Sequence, residues 1–156
     1  MLRPYIMALC HKLQIAHAFA FPGWVSYHLL PAALLGVDVM VNPSVRDWSE
    51  TFCIANIEAM AMLIPLVTFA VGGVGQYVEA PLGSEEEGRD FALGGNAVVV
   101  SRPHPTALRD AMEFRVMHAA EREAMAQRAL ERVQRHFSLE IQMRKYREFY
   151  LTCYRA

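Results

Sequence analysis

Apolar residues recur along the chain with two alternating periods, and their order sets the first expectations. Leu2, Ile6, Leu9/Cys10 and Leu13 fall at helical spacing, which predicts a helix over residues 1–15. Residues 16–21 then read as a short strand stopped by Pro22-Gly23. Pro31 sits where a first-turn proline is tolerated and opens a helix to Leu35. Val37-Asp38-Val39-Met40-Val41 is the clearest strand, rich in β-branched residues and ended by Asn42-Pro43. A helix is expected over residues 51–62, where Ile54, Ile57 and Ala61 share a face, then a buried strand over 66–70 closed by Gly72-Gly73. Residues 81–95 are glycine-rich, carry Glu85-Glu86-Glu87 and predict a solvated loop. A fourth strand is expected over 97–100 and helices over 106–118 and 121–136, the second with an Ala126, Leu130, Val133 and Phe137 stripe. Ser138 is placed to cap a last helix bearing Tyr146, Tyr150 and Tyr154, a stripe whose default is core or interface packing.

Strands alternating with helices imply an α/β domain with a mainly parallel sheet of about four strands flanked by helices. Ligands of such sheets bind outside the carboxyl ends of the strands. The loops after Val41 and Ala70 are therefore the ones to inspect. Composition narrows the classes. A length of 156 residues fits a single domain, and 54% hydrophobic against 20% charged residues excludes a disordered chain. A net charge of -1 gives no field for nucleic acid, so no nucleic-acid partner is expected. Cys10, Cys53 and Cys153 are scattered singly, without metal-ligand spacing, which suits a reducing, cytoplasmic setting and predicts no metal. Residues 19–35 and 59–75 are apolar but cut by Pro22, Gly23 and Pro31 and by Pro65, Gly72 and Gly73. A spanning helix needs about 20 apolar residues, so no integral membrane segment is expected, peripheral attachment remaining open.

The chemistry gathers after the second strand. Pro43-Ser44 is followed by Glu50-Thr51-Phe52-Cys53-Ile54 and then by Glu58. The start of that helix leaves backbone N–H groups unpaired at about residues 51–54, which with the helix dipole favours an anion. Thr51 and Glu58, seven residues apart, are expected on one helical face, with Glu50 at the mouth. A phosphate flanked by two polyols would match that layout. A lone glutamate at a helix start or on a helix face is ordinarily just solvated; the spacing between a buried strand and Ala59-Met60-Ala61 is what makes the pair informative. The six histidines share no ligand spacing, and solvated or capping roles are expected for them.

The segment from Val37 to Val78 resembles the C-terminal domain of family 4 retaining glycosyltransferases, whose GT-B architecture sets two Rossmann-like domains around a cleft. Those enzymes carry a glutamate, seven residues and a second glutamate between a Pro-Ser turn and an Ala-Met-Ala stretch. Here these are Glu50 and Glu58, between Pro43-Ser44 and Ala59-Met60-Ala61. The likeness continues through Pro65-Leu66-Val67, Gly72-Gly73, residues 96–100 and the region of Phe137-Ser138 and Tyr150, and Phe21-Pro22-Gly23 matches upstream. The resemblance implies a partial Rossmann-like domain over residues 1–156, the GT-B C-terminal half without its first strands and without the N-terminal acceptor domain. It implies Glu50 as the catalytic-site contact to the donor sugar and Glu58 on the nucleotide ribose. Ser44 and the amides of Phe52, Cys53 and Ile54 would line the donor, and Gly73 would keep the next loop slim enough for ligand. A UDP- or GDP-sugar is the implied donor substrate, transferred with retained configuration and no cofactor. Implied partners are an N-terminal acceptor domain or a partner chain. Because the missing strands leave an open sheet edge beside residues 37–41, either residues 16–21 move in to pair there, or another chain or a second copy in a homo-oligomer supplies the missing strands.

The chain departs from that pattern at Cys53 and Leu63, where the family has glycine, and at Gln76, where it has an acidic residue. Leu63 predicts loss of the left-handed helix end. Arg3 and Lys12 do not sit in a glycine-rich turn after a strand and are assigned no role. Two function classes follow: the donor-binding part of a glycosyltransferase, or a non-catalytic remnant of that fold serving as an assembly or interaction subunit.

Overall fold

The computed structural model describes residues 2–46, 48, 50–79 and 89–154. The chain divides into two compact units, residues 1–35 and 36–156. In the first, helix α1 (Arg3–Lys12) opens with Pro4 in its first turn, where the missing N–H costs nothing. It stops earlier than its apolar spacing predicts because Gln14 turns left-handed at φ +58. Residues 16–21 are not a strand: Ala16–Ala18 form a 3-10 turn and the chain then runs extended. A strand needs a neighbouring ladder for its N–H and C=O groups, and this unit contains no strand among its described residues. The Arg3 guanidinium instead donates to the Phe21 carbonyl at 3.2 Å and lies over the Phe21 ring. A second 3-10 turn (Tyr27–Leu29) leads into helix α2 (Leu30–Leu34), and Cys10 is the only described residue of the unit that is buried.

The second unit is an α/β sandwich. Its sheet runs β1 (Met40–Asn42), β2 (Leu66–Phe69), β4 (Val98–Val100) and β3 (Ala92–Leu93) in spatial order, the first three parallel and β3 antiparallel to β4. A mainly parallel four-strand sheet flanked by helices is thus what the alternation predicts, although one member differs. β3 replaces the strand expected at 16–21. It is two residues long, inside a glycine-rich stretch, and is built by the hairpin that returns through Gly94 to Ala97. Two residues carry no readable period. The Glu85-Glu86-Glu87 run lies outside the described residues. β1 is three residues long against the five predicted, and among the described residues β2 is its one ladder neighbour, so of the two expected closures of that edge the strand at 16–21 is not formed. A short edge strand offers little ladder to a wrong partner.

Every residue of β2 and β4 is buried, as parallel strands covered on both faces require. Alternate side chains part to two cores. Leu66 and Val99 join Met60 of helix α3 (Ile54–Ala61), Val74 and Tyr77 of helix α4 (Val74–Tyr77), and Ala129 and Val133 of helix α6 (Ala119–His136). Val67, Phe69, Val98 and Val100 meet Ala107 and Ala111 of helix α5 (Pro105–Met117) and Met125 of α6. The buried face of α6 is Met125, Ala126, Ala129 and Val133; Leu130 and Phe137, expected on it, are half-buried. His104 caps α5, its Nδ1 accepting the Thr106 N–H at 3.3 Å. Ser138 accepts the Ile141 N–H at 3.4 Å at the head of helix α7 (Leu139–Tyr154). That helix has no buried residue, and Tyr146, Tyr150 and Tyr154 are all exposed. Among the described residues no helix is long and apolar enough to cross a membrane.

Candidate functional site

The site residues come together where β1 and β2 end. Asn42 closes β1, and its Oδ1 accepts the Ser44 N–H at 3.1 Å, an Asx turn that reverses the chain at Pro43. The Ser44 hydroxyl then donates to Glu50 Oε2 at 3.0 Å. Glu50 and Ser44 are half-buried, so the carboxylate is held without being removed from solvent. The structure therefore unites two of the residues singled out from the sequence.

The helix that follows starts later than expected. Cys53 is its N-cap, in left-handed backbone at φ +55, and Ile54 is its first residue. The Asn56 N–H already bonds the Cys53 carbonyl at 3.0 Å, so the donors that belong to the helix begin at Ile54 and not at Thr51. Thr51 and Phe52 lie in the preceding turn, and the expected shared face of Thr51 and Glu58 is replaced by one of Ile54 and Glu58. Ile54 is exposed and Glu58 half-buried. Phe52 is fixed by ring contacts to Tyr77 at 5.4 Å and Phe137 at 5.7 Å, which hold the turn against the core.

Glycines close the turn from the other side. A Cβ on Gly72 would stand 1.7 Å from the Glu50 carbonyl oxygen, and one on Gly73 would stand 2.3 Å from that of Thr51. The neighbour that forbids a side chain here is thus the backbone of the glutamate turn. The slimness assigned to Gly73 serves that contact in the first place. Gln76, at the position where the resembling family has an acidic residue, accepts from Arg132 through its backbone carbonyl at 2.9 Å. At the far end of α3, Leu63 has φ +59, and the Leu63 and Ile64 N–H groups bond the Met60 and Ala59 carbonyls at 3.2 and 2.9 Å. This is the Schellman pattern, so the left-handed helix end survives with leucine in the glycine position, contrary to expectation.

Two residues of the site escape the sequence reading. Asn42 reads from the sequence only as a strand terminator, yet its Nδ2 also donates to the Cys53 sulfur at 3.0 Å. Asn56 is fully buried beneath the helix start and donates to the Tyr77 hydroxyl at 2.8 Å, leaving its own Oδ1 unpartnered. A polar residue on a core-facing helical position was the available signal for it. Burial pushes the Cys53 thiol up, opposed by the Asn56 backbone N–H and reinforced by the Glu50 charge. Burial also pushes the Tyr77 phenol up, against the Asn56 hydrogen bond. Both groups are therefore neutral at physiological pH, leaving Glu50 and Glu58 as the carboxylates of the site. A cavity of about 480 Å³ lies beside Phe52 and Ile54 and is walled by His136, Phe137, Gln142 and Lys145; neither glutamate lines it. Among the described residues no three His, Cys, Asp or Glu side chains gather as a metal set.

Sucrose-phosphate synthase from Thermosynechococcus elongatus superposes with a TM-score of 0.75 and 25% identity over 96% of this chain and 35% of the synthase. An uncharacterised glycosyltransferase of Methanocaldococcus jannaschii is 36% identical over 78 residues, which are 50% of this chain and 19% of that protein. The chain thus spans about a third of the synthase's length and aligns with about a fifth of the archaeal protein. The profile of the family described as glycosyl transferases group 1 matches residues 4–132, most of the chain, and the chain belongs to that family.

Proposed function

We propose that this chain is the donor-binding part of a glycosyltransferase that moves a sugar from a UDP- or GDP-sugar to an acceptor with retention of configuration. The observation that carries the reading is the Glu50 carboxylate, held by Ser44 at the mouth of α3 and at the carboxyl ends of parallel strands. Open crevices at strand ends are where such sheets take ligands. In this reading Glu50 accepts hydrogen bonds from the donor sugar, and Glu58, on the Ile54 side of α3, accepts them from the ribose. The amides of Phe52, Cys53 and Ile54 face the sugar and diphosphate, and the α3 dipole favours the charge that develops on the leaving diphosphate. Gly73 keeps the adjoining loop against the backbone. The acceptor side of the cleft comes from an N-terminal domain or a partner chain.

The test is binding. Ligand-detected NMR with UDP-glucose and GDP-mannose should give millimolar affinity, a binding free energy of about 4 kcal/mol. Glu58→Ala should weaken it about tenfold, or roughly 1.4 kcal/mol. Equal signals from wild type and variant remove the ribose role from Glu58. No signal from either sugar favours the assembly-subunit reading.

A further inference from the structure

Asn42 is only 7% exposed although its side chain is wholly polar. Both ends of its carboxamide are used, and on different loops. Oδ1 holds the Ser44 N–H in the turn that leaves β1, and Nδ2 holds the sulfur of Cys53, which opens α3. Both of those residues then meet Glu50. The Ser44 hydroxyl donates to its carboxylate at 3.0 Å, and Cys53 follows Glu50 by three residues, near enough for the Glu50 carboxylate to help push its thiol up. An amide has one acceptor and one donor end, so a single buried Asn orients two otherwise independent loops. Satisfied polar groups at low dielectric are the stiff part of such a network, and the half-buried glutamate is the part that needs stiffening.

We infer that Asn42 is a positioning residue for Glu50, acting through Ser44 on one side and Cys53 on the other. The inference rests on the reading of Glu50 as a donor contact and adds a consequence particular to this chain. Cys53 holds an unfavourable left-handed backbone, and its sulfur is the acceptor that the Asn42 amide meets. The donor end of Asn42 therefore matters only while residue 53 has a sulfur.

A double-mutant cycle on the whole chain tests this, using wild type, Asn42→Asp, Cys53→Gly and the double variant. Asn42→Asp keeps the oxygen that holds Ser44 and removes the donor to Cys53. The first readout needs no ligand. In carbon- and nitrogen-detected NMR, Cys53→Gly should move one Asn42 Nδ2 proton, and Asn42→Asp should move the Glu50 carboxyl carbon. That second displacement should shrink markedly in the Cys53→Gly background. An effect of the new Asp charge alone would persist there, and equal displacement in both backgrounds overturns the inference, as does an unmoved Asn42 proton. The second readout is affinity for UDP-glucose and GDP-mannose. Asn42→Asp should weaken the sugar that binds by about tenfold in the wild-type background and by less than about twofold beside Cys53→Gly. A merely structural Asn42 would weaken binding equally in both, in step with the thermal midpoint. Absence of binding by wild type would defeat the donor reading while the ligand-free arm still decides whether Asn42 positions Glu50.

Discussion

Of the three described side chains in left-handed backbone, two flank α3 where glycine would be free: Cys53 at φ +55 and Leu63 at φ +59. Each costs about 1–2 kcal/mol relative to an unstrained residue. Leu63 is half exposed, so little packing is lost with it, and Leu63→Gly should raise stability by about 1 kcal/mol, read as a shift in the denaturant midpoint. The reverse holds on the facing loop. Gly72→Ala adds left-handed strain to a Cβ that would collide with the Glu50 carbonyl, and should cost about 2–4 kcal/mol in the same measurement. An unchanged midpoint for Gly72→Ala would mean that the two loops do not close on each other. Glycine identities were visible in the sequence, but the partner they make room for was not. That partner is a backbone segment brought from twenty-two residues upstream by the β1–α3–β2 crossover.

Between helices α5 and α6 the notable group is Arg115, fully buried without a carboxylate. Its guanidinium donates to the Met125 sulfur at 3.0 Å and the Arg122 carbonyl at 3.4 Å, and its Nε has no partner. Burial, and after it the Arg122 charge, lowers its pKa to about 10, with Glu121 opposing. A base whose folded pKa falls below its unfolded value is costly at neutral pH, and that cost fades as pH rises through the folded pKa toward the unfolded one. Replacing such a charge with an apolar side chain of similar length is neutral or favourable. Arg115→Met should therefore leave stability unchanged or raise it by about 1–3 kcal/mol at pH 7, the gain shrinking above about pH 10 in chemical denaturation. A loss of stability at pH 7 would show that its hydrogen bonds outweigh desolvation. The helices themselves were legible within one to two residues, because α5 and α6 are long and periodic. Which residue of α6 faced inward was not, since Met125 and Leu130 are equally apolar and only the neighbouring α5 chooses between them.

At the scale of the molecule, the two units differ in how much they bury. Residues 1–35 bury Cys10 alone among those described, whereas residues 36–156 hold both cores. Local opening is cheapest where few apolar contacts must break. Amide exchange should be fast in α1 and α2 and slowest in β2 and β4, and brief trypsin treatment should cut after Lys12 before it cuts within α6. Protection of α1 equal to that of β4 would contradict this ordering. α7 stands apart, since Leu139, Met143, Phe149 and the three tyrosines are exposed along it.

The sequence by itself determined the class of the fold, the buried strands, expected over residues 66–70 and 97–100 and each one residue shorter in the structure, the long helices and the glutamate pair behind Pro43-Ser44, since periodicity and residue type are local properties. It also determined the resemblance that the family match bears out at the level of a group 1 glycosyltransferase. Only the tertiary structure decided that residues 16–21 are not a strand, that a two-residue antiparallel β3 completes the sheet, and that α3 begins at Ile54. It also decided that a leucine holds the left-handed end of α3 and that Asn42 reaches Cys53. These are matters of which distant segment lies alongside. A ladder, a glycine's close approach or a buried amide's partner is set by packing across the fold, and no local pattern records it.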